Sequence, residues 1–279
     1  MIETLGFLSI QIVLLLVVTS VHTYLGLHVI RRGIVFSDLA LDQLAAFGVI
    51  VGIGLGIQGG SVGSYLVSLA AVLLGSVFLA YVKPVNQKIP HEAVIGILYG
   101  MALVASIMVA DKFSGGTAYV TQTLSGCMLW VNWPLVIVTV VVYIGLAVFH
   151  FIFRDRIIAI TEKPRGTMQE NFWDLLFFIS LGIITVLIVP IAGVLLAYGF
   201  LMIPAATAAL FTKEWGRGLQ IGWSVGFGAS LTGLFSSYWF KLPYGPTLVL
   251  SLGLFFGAGL LIKLFSRPAI QQERGTNHG

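Results

Sequence analysis

Seven stretches of this chain contain no Asp, Glu, Lys or Arg: residues 4–30, 43–82, 93–110, 113–153, 175–212, 218–240 and 242–262. Crossing about 30 Å of hydrocarbon takes roughly 20 apolar residues in a helix, so each stretch can span a membrane. Those at 113–153 and 175–212 exceed one crossing and must hold a turn or extra structure. The pattern predicts an all-α, polytopic membrane helix bundle with about nine transmembrane helices, eight being the alternative count. They are expected near residues 5–29, 38–57, 62–82, 93–110, 128–153, 172–188, 193–205, 217–237 and 246–265. Residues 1–265 then form one transmembrane domain, and the polar tail 266–279 reads as disordered.

Composition agrees, with 58% hydrophobic and 9% charged residues over 279 positions, against about 25% charged in soluble domains. Cys127 is the lone cysteine, so no intramolecular disulfide framework exists. The opening Met1–Glu3 has no positive flank of a cleaved signal peptide, and the first helix is expected to be retained. Basic residues gather in alternate loops: Arg31/Arg32, Lys83/Lys88, Arg154/Arg156/Lys163/Arg165, Lys213/Arg217 and Lys263/Arg267/Arg274. These loops are expected on the cytoplasmic side, which puts the N-terminus outside and the C-terminus inside. The isoelectric point of about 9.2 reflects that orientation and not nucleic-acid binding.

The chemistry-bearing stretch is "IRRGIVFSDLALDQLAAFG", residues 30–48. Asp38 and Asp42 stand one helical turn apart at the head of the second apolar helix. Ser37 and Asp38 can cap that helix, since a carboxylate suits a helix N-terminus. Asp42 lies a turn further in, where ionisable groups cost several kcal/mol and mark ion paths or paired sites. Two carboxylates at i,i+4 repel unless they share something cationic, and a divalent cation fits, with Gln43 offering a nearby oxygen. Gly48, Gly52, Gly56 and Gly60 recur every four residues as a small-residue ridge for helix packing, on roughly the face of the carboxylates.

Two further segments are marked by proline. In "VPIAGVLLAYGFLMIPAATAALFTKEWGR", residues 189–217, a helix is expected to break at Pro204 and continue as a short amphipathic cytoplasmic helix. In "YWFKLPYGPTLV", residues 238–249, Pro243, Gly245 and Pro246 predict a tight external turn. Tyr119, Thr121, Gln122, Thr123 and Ser125 form either an external gate or a plain loop. Trp130, Trp133, Tyr143 and Tyr244 read as interface anchors, and Tyr198 and Met202 as packing or path-lining residues. His22 can face Asp38 or Asp42 from the first helix, or be hydrogen-bonded within the bundle. His28 lies on another face, His91 beside Glu92 at a helix mouth, His150 at the interface and His278 in the tail.

Four segments in order, "VIRRGIVFSDLALDQLAAFG", "HEAVIGILYG", "GVLLAYGFLMIPAATAALFT" and "KLPYGPTLVL", resemble the membrane permeases of zinc/manganese-type metal-ion ABC importers across residues 5–265. The resemblance implies a type II importer permease fold and a homodimer in the cytoplasmic membrane of a bacterium or archaeon. It also implies an extracytoplasmic solute-binding protein that delivers zinc, manganese or iron, and a separate cytoplasmic ATPase. This chain contains no phosphate-binding loop, so ATP belongs to the partner and the chain is not itself an enzyme. By the same resemblance, residues 204–217 are the coupling segment, with Pro204, Ala205, Ala206 and Thr207 at its start and Lys213, Trp215 and Arg217 as its rim. Many members place His four residues after the Asp matched by Asp38. Asp42 fills that slot here, and a harder, more anionic pair tilts the cargo toward manganese or iron.

Other classes fit less of the pattern. A secondary cation transporter leaves the Ile-Pro-Ala-Ala-Thr segment unexplained and calls for internal repeats. A permease for a metal chelate, of siderophore or cobalamin type, needs a wider path than a glycine-tight second helix suggests. An intramembrane hydrolase would carry motifs such as His-Glu-x-x-His, which is absent.

Overall fold

The computed structural model describes residues 2–82, 89–125, 131–162 and 167–266. Lys83, Lys88, Cys127, Trp130, Lys163, Arg165, Arg267, Arg274, His278 and the rest of the tail from 267 lie outside the described residues. Within them the chain is all helix: α1 (Ile2–Arg32), α2 (Phe36–Gly54), α3 (Val62–Tyr81), α4 (His91–Ala110), α5 (Gly116–Ser125), α6 (Trp133–Ile152), α7 (Arg154–Glu162), α8 (Met168–Ala192), α9 (Val194–Phe211), α10 (Trp215–Phe240) and α11 (Tyr244–Phe265). Local chemistry sets several starts. Asn132 Oδ1 accepts from the Leu135 amide at 3.1 Å to open α6. Thr167 and Glu170 form a reciprocal capping box, which begins α8 at Met168, four residues before the position expected from hydropathy.

Eight of these helices are long and apolar enough to cross a membrane. Helix α10 is not among those eight, yet it runs along the same bundle. It starts at Trp215 beside Arg31 at the basic end of the bundle. It ends just before Tyr244, whose hydroxyl donates to Gln11 Oε1 at 3.3 Å at the other end. Its 26 residues cover roughly 39 Å at 1.5 Å per residue, so only an end-to-end path connects the two points.

The bundle has two packed groups. In one, α2 lies against α3, α4 and α8; in the other, α1 and α9 pack with α10 and α11, and α2–α9, α8–α9 and α1–α6 contacts join them. Helices α2, α8 and α9 form the interior, with 61%, 67% and 61% of their spanning residues buried, against 22% for α4, α6 and α11. Side-chain hydroxyls link neighbours: Ser68 donates to Ala45 O at 3.0 Å, Ser76 to Phe178 O at 3.1 Å and Ser251 to Ala229 O at 2.7 Å. In lipid such bonds average about 0.6 kcal/mol each, so close backbone packing contributes most of the association.

That packing revises two expectations. Pro204 does not break its helix: α9 runs through it to Phe211. Pro204 seats in a notch on α10, where a Cβ on Gly226 would meet its Cγ at 2.9 Å and one on Gly222 its carbonyl oxygen at 3.3 Å. From the other side Gly26 of α1 lies against Leu201 O and Ala205. Neighbouring helices thus hold the proline-bearing turn straight, although Pro204 cannot donate to the preceding turn. The α2 ridge is likewise shorter than its sequence period. A Cβ on Gly48 would stand 2.5 Å from Ser68 Cα, and Gly52 makes ordinary contact with α3, but Gly56 has left the helix. With φ of 83°, Gly56 closes a Schellman turn in which its amide donates to Ile53 O and the Ile57 amide to Gly52 O, both at 2.9 Å. The short helices α5 and α7, 10 and 9 residues long, were expected as loops because neither can cross a bilayer.

Gly48→Ala or Gly26→Ala places a methyl group against backbone. Each is expected to lower the thermal unfolding midpoint of the detergent-purified protein, by the equivalent of about 1–3 kcal/mol. Gly253→Ala, whose added methyl meets nothing within 4 Å, keeps or raises it. Equal midpoints for all three would exclude backbone contact as the determinant of helix spacing.

Candidate functional site

Asp38 and Asp42 occupy the first two turns of α2 and are 2% and 1% exposed. Ser37 does not cap the helix; its hydroxyl donates to Ile34 O at 2.7 Å. The Thr185 hydroxyl of α8 hydrogen-bonds Asp42. Tyr143 of α6 lies within electrostatic reach of both carboxylates, and Tyr198 of α9 within reach of Asp38. Asp38 Oδ2, Asp42 Oδ2, Gln43 Oε1 and the Tyr143 hydroxyl are all buried and without a hydrogen-bond partner among the described residues. Buried polar atoms are nearly always paired, and paired anionic oxygens left open inside a membrane bundle are the arrangement a cation relieves. Among the described residues no group of three or more His, Cys, Asp and Glu side chains comes together.

The other predicted residues sort around this pair. Gln43 turns away toward α4, where its Nε2 donates to Ser106 Oγ at 3.3 Å. His22 is held within the bundle, with Nδ1 3.0 Å from Val18 O, and its ring stacks on Tyr143 at 5.7 Å between centroids. That tyrosine in turn lies within electrostatic reach of both carboxylates. The glycine ridge and the carboxylates do not share a face: Gly48 meets α3, whereas Asp42 meets α8. Six residues separate them, about 240° around the helix.

Two contributors were not anticipated as site residues. Tyr143, read as an interface anchor, is fully buried, and Thr185 is 1% exposed. A signal for Tyr143 exists in the sequence, since it lies ten residues, about 15 Å of helix, from Phe153 at the end of its charge-free run and too deep for the interface. Nothing local marks Thr185. Tyr244 and His150, also read as interfacial, are 5% and 3% exposed: Tyr244 meets Gln11 of α1, and His150 meets Tyr24 of α1 and Phe177 of α8.

At the basic end of the bundle the coupling residues separate into two sets. Pro204, Ala205 and Thr207 are buried inside α9 and Ala206 is half-buried, so none of the four starts an exposed segment as expected. Lys213, Glu214 and Arg217 are exposed at the α9–α10 corner, with Trp215 half-buried. Arg217 pairs with Glu214 at 3.2 Å, an exposed contact worth at most about 1 kcal/mol. The deeper contacts belong to α1. Arg32, 7% exposed, pairs with Asp174 at 3.0 Å, donates to Thr161 Oγ1 at 3.0 Å and lies over the Phe177 ring. His28 Nδ1 sits 2.8 Å from the same Thr161 hydroxyl.

At the opposite end a cavity of about 790 Å³ opens between the α2–α3 turn, α5 and the start of α6. Gln58, Tyr119, Gln122, Thr123 and Asn132 supply its polar wall, and Val49 and Ile53 of α2 line it inward. The stretch read as either gate or loop is thus a helix that walls a cavity at the end of the bundle opposite the basic corner.

Known proteins are similar to this chain along almost its whole length. The chain is similar to the manganese import system permease protein ScaB of Streptococcus gordonii, at 26% identity over 94% of this chain and 92% of that one. It is also similar to the high-affinity zinc uptake system membrane protein ZnuB of Haemophilus influenzae, at 22% identity over 91% and 95%. A solved structure, PsaBC from Streptococcus pneumoniae in complex with Fab, superposes with a TM-score of 0.75 at 25% identity, covering 94% of this chain and 92% of that one. With residues 5–263 matching the family as a whole, this multi-span membrane chain belongs to the ABC 3 transport family.

Proposed function

We propose that this chain is the membrane-spanning permease subunit of an ABC importer for a divalent metal cation, of the manganese, zinc or iron class. The observation that carries this reading is the pair Asp38 and Asp42, buried one turn apart with an open oxygen on each. Relatives named for manganese and for zinc support the same cargo class. A transported ion must leave as well as bind. Two carboxylates supplemented by the Thr185 and Tyr143 hydroxyls and by retained water hold it less tightly than a closed cage of charged ligands. Such an oxygen-rich set favours the harder ions, manganese and iron, over zinc.

The remaining parts follow the same reading. The cavity opposite the basic corner, taken as the outer vestibule, receives the ion from an extracytoplasmic solute-binding protein, and its neutral polar wall passes a hydrated cation without trapping it. ATP is hydrolysed by a cytoplasmic partner that meets the exposed corner at Lys213, Trp215 and Arg217. Two copies of the permease sit in a bacterial cytoplasmic membrane, and the coupling surface begins at that corner, with Pro204–Thr207 as its internal support.

Cells carrying the chain with its ATPase and binding protein are expected to accumulate one of manganese, iron or zinc. Asp38→Asn or Asp42→Ala lowers uptake on the order of tenfold or more, since even outer-shell changes alter metal affinity by tenfold to a hundredfold. Elemental analysis of washed cells checks this. An assembled, ATP-hydrolysing complex that moves none of the three metals excludes the cargo assignment. Separately, Lys213→Glu with Arg217→Glu is expected to abolish co-purification of the ATPase while leaving the permease folded; undiminished co-purification places the docking surface elsewhere.

A further inference from the structure

Arg31 and Arg32 are adjacent at the end of α1, and their contacts divide the bundle in two. Arg32 is tied inward to α7 and α8 through Thr161, Asp174 and Phe177. Arg31 is tied to the α9–α10 corner: its Nη2 donates to Lys213 O at 2.6 Å, and its guanidinium lies 3.7 Å from the centroid of the Trp215 ring. Glu162 of α7 closes a ring, accepting from Trp215 Nε1 at 2.8 Å and from Arg31 Nη1 at 3.4 Å. Arg31 and Glu162 retain 20% and 48% side-chain exposure, while Arg32 and Asp174 retain 7% and 16%. The outer ring is therefore the more water-accessible joint and the inner pair the more enclosed one.

The chain leaving Arg31 leads to the carboxylates. Gly33, at φ of 65°, ends α1 in a Schellman turn, with its amide on Ile30 O at 3.1 Å and the Ile34 amide on Val29 O at 3.2 Å. The Ser37 amide then bonds Ile34 O at 3.0 Å, and Asp38 follows directly. A Cβ built on Gly33 would meet nothing within 4 Å, whereas Ile34, the next residue, is buried in the core, so the turn joins an open glycine to an anchored side chain. A hydrogen-bonded turn thus joins the residue that grips the corner to the helix that holds the carboxylates.

We propose that Arg31 is a positioning residue that transmits movement of the 212–217 corner to α2, so that displacement of Lys213 and Trp215 re-aims Asp38 and Asp42. This rests on the reading of that corner as the ATPase-facing segment. The lever itself requires no particular cargo. Lys213 takes part through its backbone carbonyl, so its side chain is free for a partner, whereas every Arg31 contact in the ring is made by its guanidinium.

The test uses the complex with its ATPase in lipid nanodiscs, with Cys127 replaced by Ser and spin labels at Phe36→Cys, at the exposed head of α2, and Met168→Cys, at the exposed head of α8. ATP with vanadate is expected to shift the inter-label distance on the order of 2–5 Å, the scale of helix shifts up to a one-turn step. Arg31→Ala removes the shift while the ATPase still co-purifies, and Arg31→Lys restores part of it by keeping the bond to Lys213 O. If Arg31→Ala does not fold, Glu162→Ala, which leaves Arg31 in place and opens the ring, is expected to reduce the shift. A shift in Arg31→Ala equal to the parent's, no shift in the parent, or loss of the ATPase from Arg31→Ala overturns the proposal. Failure of the metal assignment is read independently, as absent metal uptake by a parent complex whose labels still move.

Discussion

Two carboxylates buried a turn apart in a lipid-embedded bundle set the terms for the rest of this structure. Hydrocarbon offers them no water, so α2 must be enclosed by protein on every side. It lies against α3, α4, α8 and α9, each contributing a different kind of contact. Gly48 allows the Ser68 backbone of α3 to close in, Gln43 bridges to Ser106 of α4, and Thr185 of α8 bonds Asp42. The small-residue ridge therefore encloses the carboxylates indirectly. It seals one flank of their helix, and that leaves the opposite flank for hydroxyls.

The same device recurs in the second group of helices. Gly26, Gly222 and Gly226 press α1 and α10 onto the Pro204 turn of α9, and this joint lies directly beneath the exposed corner at Lys213. Pro204 lies against Gly222 and Gly226 of α10, while Leu201 and Ala205 of the same helix lie against Gly26 of α1, so the inner end of α9 is closely packed on two sides. The corner beyond it is fastened only by partly exposed groups. Contacts of that kind contribute about 0–1 kcal/mol, whereas the Arg32–Asp174 pair behind them is shielded from water to a greater degree and is screened less. Weak contacts at the rim and more enclosed ones behind it let a partner move the corner without loosening the bundle.

Much of this was legible along the chain. Charge-free runs predict the helices because the length of a membrane span is set by bilayer thickness, which is independent of fold. Basic residues in alternate loops give an expected orientation, and the charge-free run 218–240 marks α10. Asp38 and Asp42 stand out because charge inside an apolar run is costly wherever that run packs. Helix ends were less legible: Glu170 and Asn171 read as loop until Thr167 is seen to cap them, and α9 reads as ending at Pro204 until its neighbours are seen to hold it straight.

What the sequence by itself determined is the set of properties carried by single segments, namely the long apolar helices and the presence of two carboxylates within them. Only the tertiary structure decided which groups surround them. Tyr143 and Thr185 come from helices far along the chain, and nothing in their own neighbourhoods states which face of α6 or α8 turns inward. The contacts of Arg31 with Lys213, Trp215 and Glu162 join residues more than a hundred positions apart. Apolar length is a local property that the bilayer reads segment by segment, whereas a site is formed by rotation and contact between segments, and that is settled only when backbones meet at positions such as Gly48 and Gly26.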